Sequence, residues 1–301
     1  MNANKVILVT GTTSGFGRLT AETLARQGHT VYASMRQSNK KNLPAAQELM
    51  SLAEQEALNL SVVDLDVTDD ASVTHAVEDI VQDAGRLDVV VNNAGVGSQS
   101  PLEAYTDEQI YQLFNTNVFG VLRVNRAALP SMRAQKDGLI IHVGSVLGRA
   151  AMPFFGLYSA TKFALEGLIE AFNYELRLLS SGVEVSIVEP GAYPTEFGRK
   201  SIAASDQTHI QPYAPLLAQL SAMRGVVMGG NDAAPNPQEV ADAIAQLIAM
   251  PAGSRPLRTV VAIAGQGEGA AILNQVSAQV VQTISSRLGL SAPGSPSSKT
   301  R

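Results

Sequence analysis

The run Val6-Ile7-Leu8-Val9-Thr10-Gly11-Thr12-Thr13-Ser14-Gly15-Phe16-Gly17 decides the fold. Its aliphatic start reads as a strand buried on both faces, the kind found inside a parallel sheet. Glycines at G-x-x-x-G-x-G spacing follow at once and lead into the helical pattern Arg18-Leu19-Thr20-Ala21-Glu22-Thr23-Leu24-Ala25. Glycine lets the backbone turn tightly and lets a pyrophosphate approach the N–H groups exposed at the start of a helix. Strand, glycine turn and helix in this order make the first βαβ unit of a dinucleotide-binding sheet. Gly11, Thr13, Ser14, Gly15, Phe16 and Gly17 are therefore candidate cofactor contacts.

The same rhythm continues outward. Strand-like runs at 5–10, 30–34, 61–66, 87–92, 138–144, 183–189 and 257–263 alternate with helical patterns at 16–27, 43–57, 69–84, 107–135, 157–180, 238–250 and 269–288. Such alternation predicts an α/β chain with a parallel sheet covered by helices on both sides. Thr68-Asp69-Asp70 reads as a helix start, a cap followed by an acid at the positive end of the dipole. Residues 1–290 are expected to form one domain. Within it, 192–237 is a long loop carrying Phe197, Tyr213, Met223 and Met228, and loops of that length are usually functional. The 291–301 tail, rich in serine and proline, is expected to be disordered. In the 269–288 helix, Leu273, Val276, Val280 and Ile284 form an apolar stripe expected to dock on its own domain.

Composition narrows the chemistry. The 301 residues include no cysteine, which excludes disulfides, thiolate metal sites and cysteine nucleophiles. A net charge of −5 argues against a nucleic-acid partner. The four histidines are scattered with no H-x-x-x-H spacing, so no catalytic metal is expected. No apolar run reaches the roughly 18 residues of a membrane span, and a cytoplasmic location is the expectation.

The second strand ends Tyr32-Ala33-Ser34-Met35-Arg36. NAD-binding folds commonly place an acid there for the ribose 2′-hydroxyl. A guanidinium in its place favours the 2′-phosphate, so NADP is the expected cofactor with NAD as the alternative, and Ser14 and Ser34 offer further hydroxyls. Asp66 and Val67, closing the third strand, either contact adenine or make a strand-end turn. Asn93, Ala94 and Gly95 close the fourth, at the carboxyl edge where ligands bind in open parallel sheets.

Proton chemistry is suggested by Tyr158-Ser159-Ala160-Thr161-Lys162. Residues i and i+4 share a helix face, so the Lys162 ammonium is expected beside the Tyr158 phenol, favouring the phenolate. Ser145, ending the strand Gly138-Leu139-Ile140-Ile141-His142-Val143-Gly144-Ser145, is placed to offer its hydroxyl to the same substrate oxygen.

Glycine motif, Asn92-Asn93-Ala94-Gly95, serine, Tyr-x-x-x-Lys and Pro190-Gly191, in this order and spacing over about residues 5 to 265, resemble the short-chain dehydrogenase/reductase family. The resemblance implies a single doubly wound Rossmann-like domain with a seven-stranded parallel sheet and an NAD(P) cofactor. It implies Tyr158 as general acid/base, Ser145 as the group orienting the substrate oxygen, and Lys162 on the nicotinamide ribose while lowering the tyrosine pKa. Asn117, in Phe114-Asn115-Thr116-Asn117-Val118-Phe119-Gly120, matches the family asparagine that holds a relay water. Asn115 competes for that role. As a poor helix former in mid-helix, Asn117 suits a loosened turn.

Pro190, Gly191, Tyr193 and Thr195 match the loop on the nicotinamide carboxamide. Tyr193 replaces the family's usual aliphatic residue and is expected to narrow or polarise the site. The implied activity is hydride transfer between nicotinamide and a small-molecule carbonyl or secondary alcohol. The Tyr158–Gly167 region leans towards lipophilic, hydroxysteroid-type substrates, with Val146, Leu147, Phe154 and Phe155 available to line an apolar pocket. Acyl-chain reduction and a non-catalytic NADP sensor are the alternatives, and a homodimer or homotetramer is the expected assembly.

Overall fold

The computed structural model describes residues 4–219 and 234–288. Its strands are β1 Val6–Thr10, β2 Thr30–Met35, β3 Leu60–Asp64, β4 Val89–Asn92, β5 Gly138–Val143, β6 Val183–Pro190 and β7 Arg258–Val261. They form one parallel sheet in the order β3-β2-β1-β4-β5-β6-β7. The helices are α1 Gly15–Arg26, α2 Leu43–Gln55, α3 Asp70–Ala84, α4 Asp107–Phe114, α5 Gly120–Gln135, α6 Gly156–Leu178, α7 Gln207–Ile210, α8 Gln238–Ala249 and α9 Glu268–Arg287.

Alternation along each strand builds two cores. Ile7 and Val9 face α1, α2 and α8, whereas Val6 and Leu8 face α3, α5 and α6. Ile7, Leu8, Ile140 and Ile141 are fully buried, each worth roughly 2 kcal/mol of apolar transfer. The order reverses between β1 and β4, opening a crevice at the carboxyl edge where ligands bind in such sheets. The glycine turn, Asn93–Gly95, Ser145 and Gly191 each follow the carboxyl end of one of these strands.

Several boundaries shift from the sequence expectation. The third strand stops at Asp64, because the Asp66 carboxylate closes a turn on Thr68, accepting from its N–H at 2.9 Å and its hydroxyl at 2.7 Å. β7 is shorter than 257–263 and pairs only with β6, as an edge strand. The 107–135 helix divides at a π-helical turn, Asn115–Phe119, between α4 and α5. Asp69 caps α3 by accepting from Ala71 and Ser72 N–H. The 192–237 segment is not a structureless loop, for Ile202 pairs with Ser98 and α7 lies within it. Met223, Met228 and the 291–301 tail lie outside the described residues.

The apolar stripe of α9 does not dock as expected. Val276, Val280 and Ile284 each remain about half exposed, and Ala270 alone among the helix's described residues is buried. The helix seats itself instead through Asn274, which donates to Glu189 at 2.6 Å, and Ser277, which donates to Glu170 at 3.2 Å. Leaving a buried carboxylate without a donor costs more than leaving valines in water, so the polar face turns inward.

Candidate active site

The glycine turn is built by close approach. Gly11 has φ +73°, and a Cβ there would meet Ala94 Cα at 2.8 Å. At Gly17 a Cβ would meet Asn93 Nδ2 at 2.3 Å and Gly11 O at 2.5 Å. Asn93 clasps the turn, donating from Nδ2 to Thr10 O at 2.8 Å and to Gly11 O at 3.1 Å. Thr10 Oγ1 accepts from both Asn93 N and Ala94 N. Ser14, at the N-cap of α1, makes no side-chain capping bond, and the first turn holds no acid. The orphan N–H groups of α1 and its positive dipole end therefore suit an anionic ligand.

Arg36 is exposed at the end of β2, free to meet a phosphate. Ser34, by contrast, is fully buried with its hydroxyl facing no partner among the described residues, so it lines the interior instead of the surface. Asp66 is engaged in its Thr68 turn. Val67 is buried, its side chain against the Cα of Gly120, where a Cβ would meet Val67 Cβ at 2.9 Å. Asp66 is half-buried and uses Oδ1 in its turn, whereas the Val67 side chain belongs to the core.

Ser145, Tyr158 and Lys162 converge and are all buried. Ser145 is extended and accepts from Leu147 N at 3.1 Å. The nearby Ser145 hydroxyl favours the phenolate, but burial outweighs it and pushes Tyr158 up to about 12. Lys162 Nζ stands 5.7 Å from the Tyr158 ring centroid and donates to Val143 O at 2.8 Å. Its burial brings it down to about 8, opposed by the attraction of Glu166. Burial dominates the phenol in this arrangement, while the Lys162 ammonium lies over its ring and is held by the Val143 carbonyl.

Asn117 is buried in the π turn with both polar side-chain atoms engaged: Oδ1 accepts from Val96 N at 2.9 Å, and Nδ2 donates to Val96 O at 2.9 Å and to Thr161 Oγ1 at 3.1 Å. It also lies 3.4 Å from where a Gly95 Cβ would stand. Asn115 Oδ1 is buried with no partner among the described residues.

Beyond Pro190, Gly191 N donates to Val261 O at 2.9 Å, and Ala192 N donates to Gln266 Oε1 at 2.8 Å. Tyr193 does not enter the site as expected. Its phenol donates to Glu239 of α8 at 2.8 Å, and its ring meets Phe16 edge-on at 5.5 Å. Thr195 stands over Gly15, its Cβ 3.6 Å from where a Gly15 Cβ would be.

Two residues go beyond the roles read from the sequence. Lys200 donates to Ser14 Oγ at 2.8 Å and Thr13 Oγ1 at 3.2 Å, placing a cation on the glycine turn. Phe197 meets the Tyr158 ring at 5.6 Å. With the Ser98–Ile202 bridge, residues 195–202 form a strap across the whole site. A basic Arg199-Lys200 pair after an aromatic residue was the signal available, but nothing local fixed where it would fold back.

A family model described as short chain dehydrogenase matches residues 5–206. The chain belongs to the short-chain dehydrogenase family. It is 39% identical over 193 residues to 3-ketodihydrosphingosine reductase of Bacteroides thetaiotaomicron, a match covering 64% of this chain and 65% of that relative. To human 17-beta-hydroxysteroid dehydrogenase type 1 it is 36% identical over 250 residues, covering 80% and 73%. Among solved structures, a short-chain dehydrogenase from Streptomyces avermitilis superposes with TM-score 0.73 at 30% identity, covering 95% and 98%. An alcohol dehydrogenase from Thermococcus sibiricus, complexed with 5-hydroxy-NADP, gives 0.67 at 26%, covering 85% and 95%. Members of this family are oxidoreductases that use a nicotinamide cofactor, and the uncapped start of α1 fits one. Among the described residues, no helix is long and apolar enough to cross a membrane.

Proposed function

We propose that the protein is an NADP-dependent reductase of lipophilic ketones. The convergence of Ser145, Tyr158 and Lys162 beneath an uncapped helix start carries this reading. NADPH, when bound, supplies the hydride. Tyr158 gives its proton to the alkoxide that develops on the substrate oxygen, and Ser145 donates a hydrogen bond to that oxygen. A phenol held near 12 keeps its proton at neutral pH, which suits the reductive direction. Lys162 supplies positive charge behind the phenol. The Asn117 side chain ties Val96 to Thr161 beside the reacting groups, and its Oδ1 keeps one acceptor position.

Arg36 and Lys200 are the cations for the cofactor phosphates, Arg36 for the 2′-phosphate and Lys200 at the glycine turn. Phe197, Leu147 and Phe154 supply the apolar wall that favours a lipophilic substrate. Assembly into two or four copies belongs to the same reading and is tested by sedimentation.

The first test is titration with NADPH and NADH, following nicotinamide emission in a chain without tryptophan. NADPH should bind at least about tenfold tighter, a gap of about 1.4 kcal/mol. Equal binding would overturn the NADP preference. Turnover with a panel of lipophilic ketones should then vanish in Tyr158→Phe while NADPH affinity stays within about twofold. Wild-type turnover by that variant would remove Tyr158 from the mechanism.

A further inference from the structure

One turn beyond Lys162 on the same face of α6, Glu166 is buried, 2% exposed. Its carboxylate and stem fill the space left by two glycines that flank Ser145. A Cβ on Gly144 would meet Glu166 Oε1 at 3.1 Å, and one on Gly148 would meet Glu166 Cγ at 3.1 Å. Across from it, at the end of β6 and next to Pro190, Glu189 is completely buried. Both acids straddle one guanidinium nitrogen: Arg258 Nε lies 2.8 Å from Glu166 Oε2 and 3.8 Å from Glu189 Oε1. Arg258 also bonds Glu170 at 3.0 Å. Glu166 Oε1 and Glu189 Oε1 have no other partner among the described residues.

Three buried or half-buried carboxylates thus surround one arginine. Two like charges this close in a dry site do not both ionise. We propose that Glu189 is a positioning residue that keeps its proton beside the Glu166 carboxylate, and that this proton holds the Ser145 turn and the Pro190–Gly191 turn in register beneath the catalytic helix. Gly144 N donates to Val188 O at 2.7 Å, so the two turns leave adjacent rungs of the sheet and any repulsion between the acids acts on both. Asn274 of α9 donates to Glu189, which makes the C-terminal helix part of the lock.

The groups facing the pair are few. Lys162 of α6 is drawn to Glu166, Arg258 of β7 bonds it, and Asn274 of α9 donates to Glu189; around them, Glu170 holds Arg258, Ser277 and Tyr174 adjoin Glu170, and Arg149 reaches the α9 carbonyl of Leu273. Burial, with Glu166 opposite, raises Glu189 from the ordinary carboxylate range to about 7. Because the folded value is the higher one, the pair's contribution to stability is full below about pH 4.5 and is lost as the pH rises through about 7.

Infrared spectra of the full-length wild type and of Glu189→Gln, with thermal melting from about pH 5 to about pH 8.5, test the idea. Wild type should show a protonated-carboxyl C=O band near pH 6 that vanishes by about pH 8.5, and Glu189→Gln should lack it. The melting temperature of wild type should fall over that range relative to the variant, with Glu189→Gln the more stable protein at the alkaline end. A purely structural role predicts parallel profiles with the variant lower throughout, and that outcome overturns the proposal. So does the absence of the band in wild type, a reading that needs no variant to fold.

The part of the inference concerning catalysis rests on the proposed reductase activity. There, kcat of wild type should decline above about pH 7 by about threefold or more while Glu189→Gln holds its rate. A flat wild-type profile with the band present would overturn the positioning role alone. No turnover of any ketone by wild type would instead overturn the reductase reading and leave the Glu189 proton intact.

Discussion

Gly17 has nowhere to put a Cβ, since Asn93 Nδ2 and Gly11 O already occupy the space. Gly17→Ala should cost about 1–3 kcal/mol in urea unfolding and weaken NADPH, because the turn must open to relieve the clash. The two cations near the cofactor edge separate by position. Arg36→Ala should weaken NADPH by about tenfold and leave NADH nearly unchanged, whereas Lys200→Ala, removing the cation from Thr13 and Ser14, should weaken both; paired titrations distinguish these outcomes. The glycine turn was legible in the sequence because its constraints are local. Tyr193 was not, because the acceptor that captures its phenol, Glu239, stands 46 residues away and on another helix.

Asp69 holds two N–H groups at the start of α3, and Asp69→Ala should cost about 1 kcal/mol in denaturant unfolding without changing cofactor binding. That cap, the alternation of strands and helices, and the order of the motifs could all be read in advance, since each depends on neighbours in the chain. Asn117 was readable as a poor helix former, yet only the packed structure shows the resulting π turn, with the side chain clamping Val96 and Thr161 from outside α5. α9 shows the opposite failure. Its apolar stripe is real, but the buried Glu189 and the Glu170 on α6 claim its polar face, and hydrophobic periodicity carries no information about acids waiting on other elements.

Over the whole molecule, acid should be destabilising through one histidine. His142 is fully buried in β5, and burial, with Lys162 nearby, lowers its pKa to about 3. A folded value below the unfolded one means stability is present above about pH 6.5 and is lost as the pH falls towards 3, at up to about 1.4 kcal/mol per unit. His142→Leu should flatten that slope in urea unfolding. The proposed proton on Glu189 tilts stability the other way between about pH 4.5 and 7, so differences between variant and wild type carry the information. The strap at 195–202 has a consequence for binding order. One short segment touches the glycine turn through Lys200 and the phenol through Phe197, so a ligand that displaces one contact is expected to disturb the other. On the reductase reading, cofactor and ketone affinities are then expected to be thermodynamically coupled, and whatever factor NADPH imposes on the ketone's dissociation constant, the ketone should impose on NADPH's.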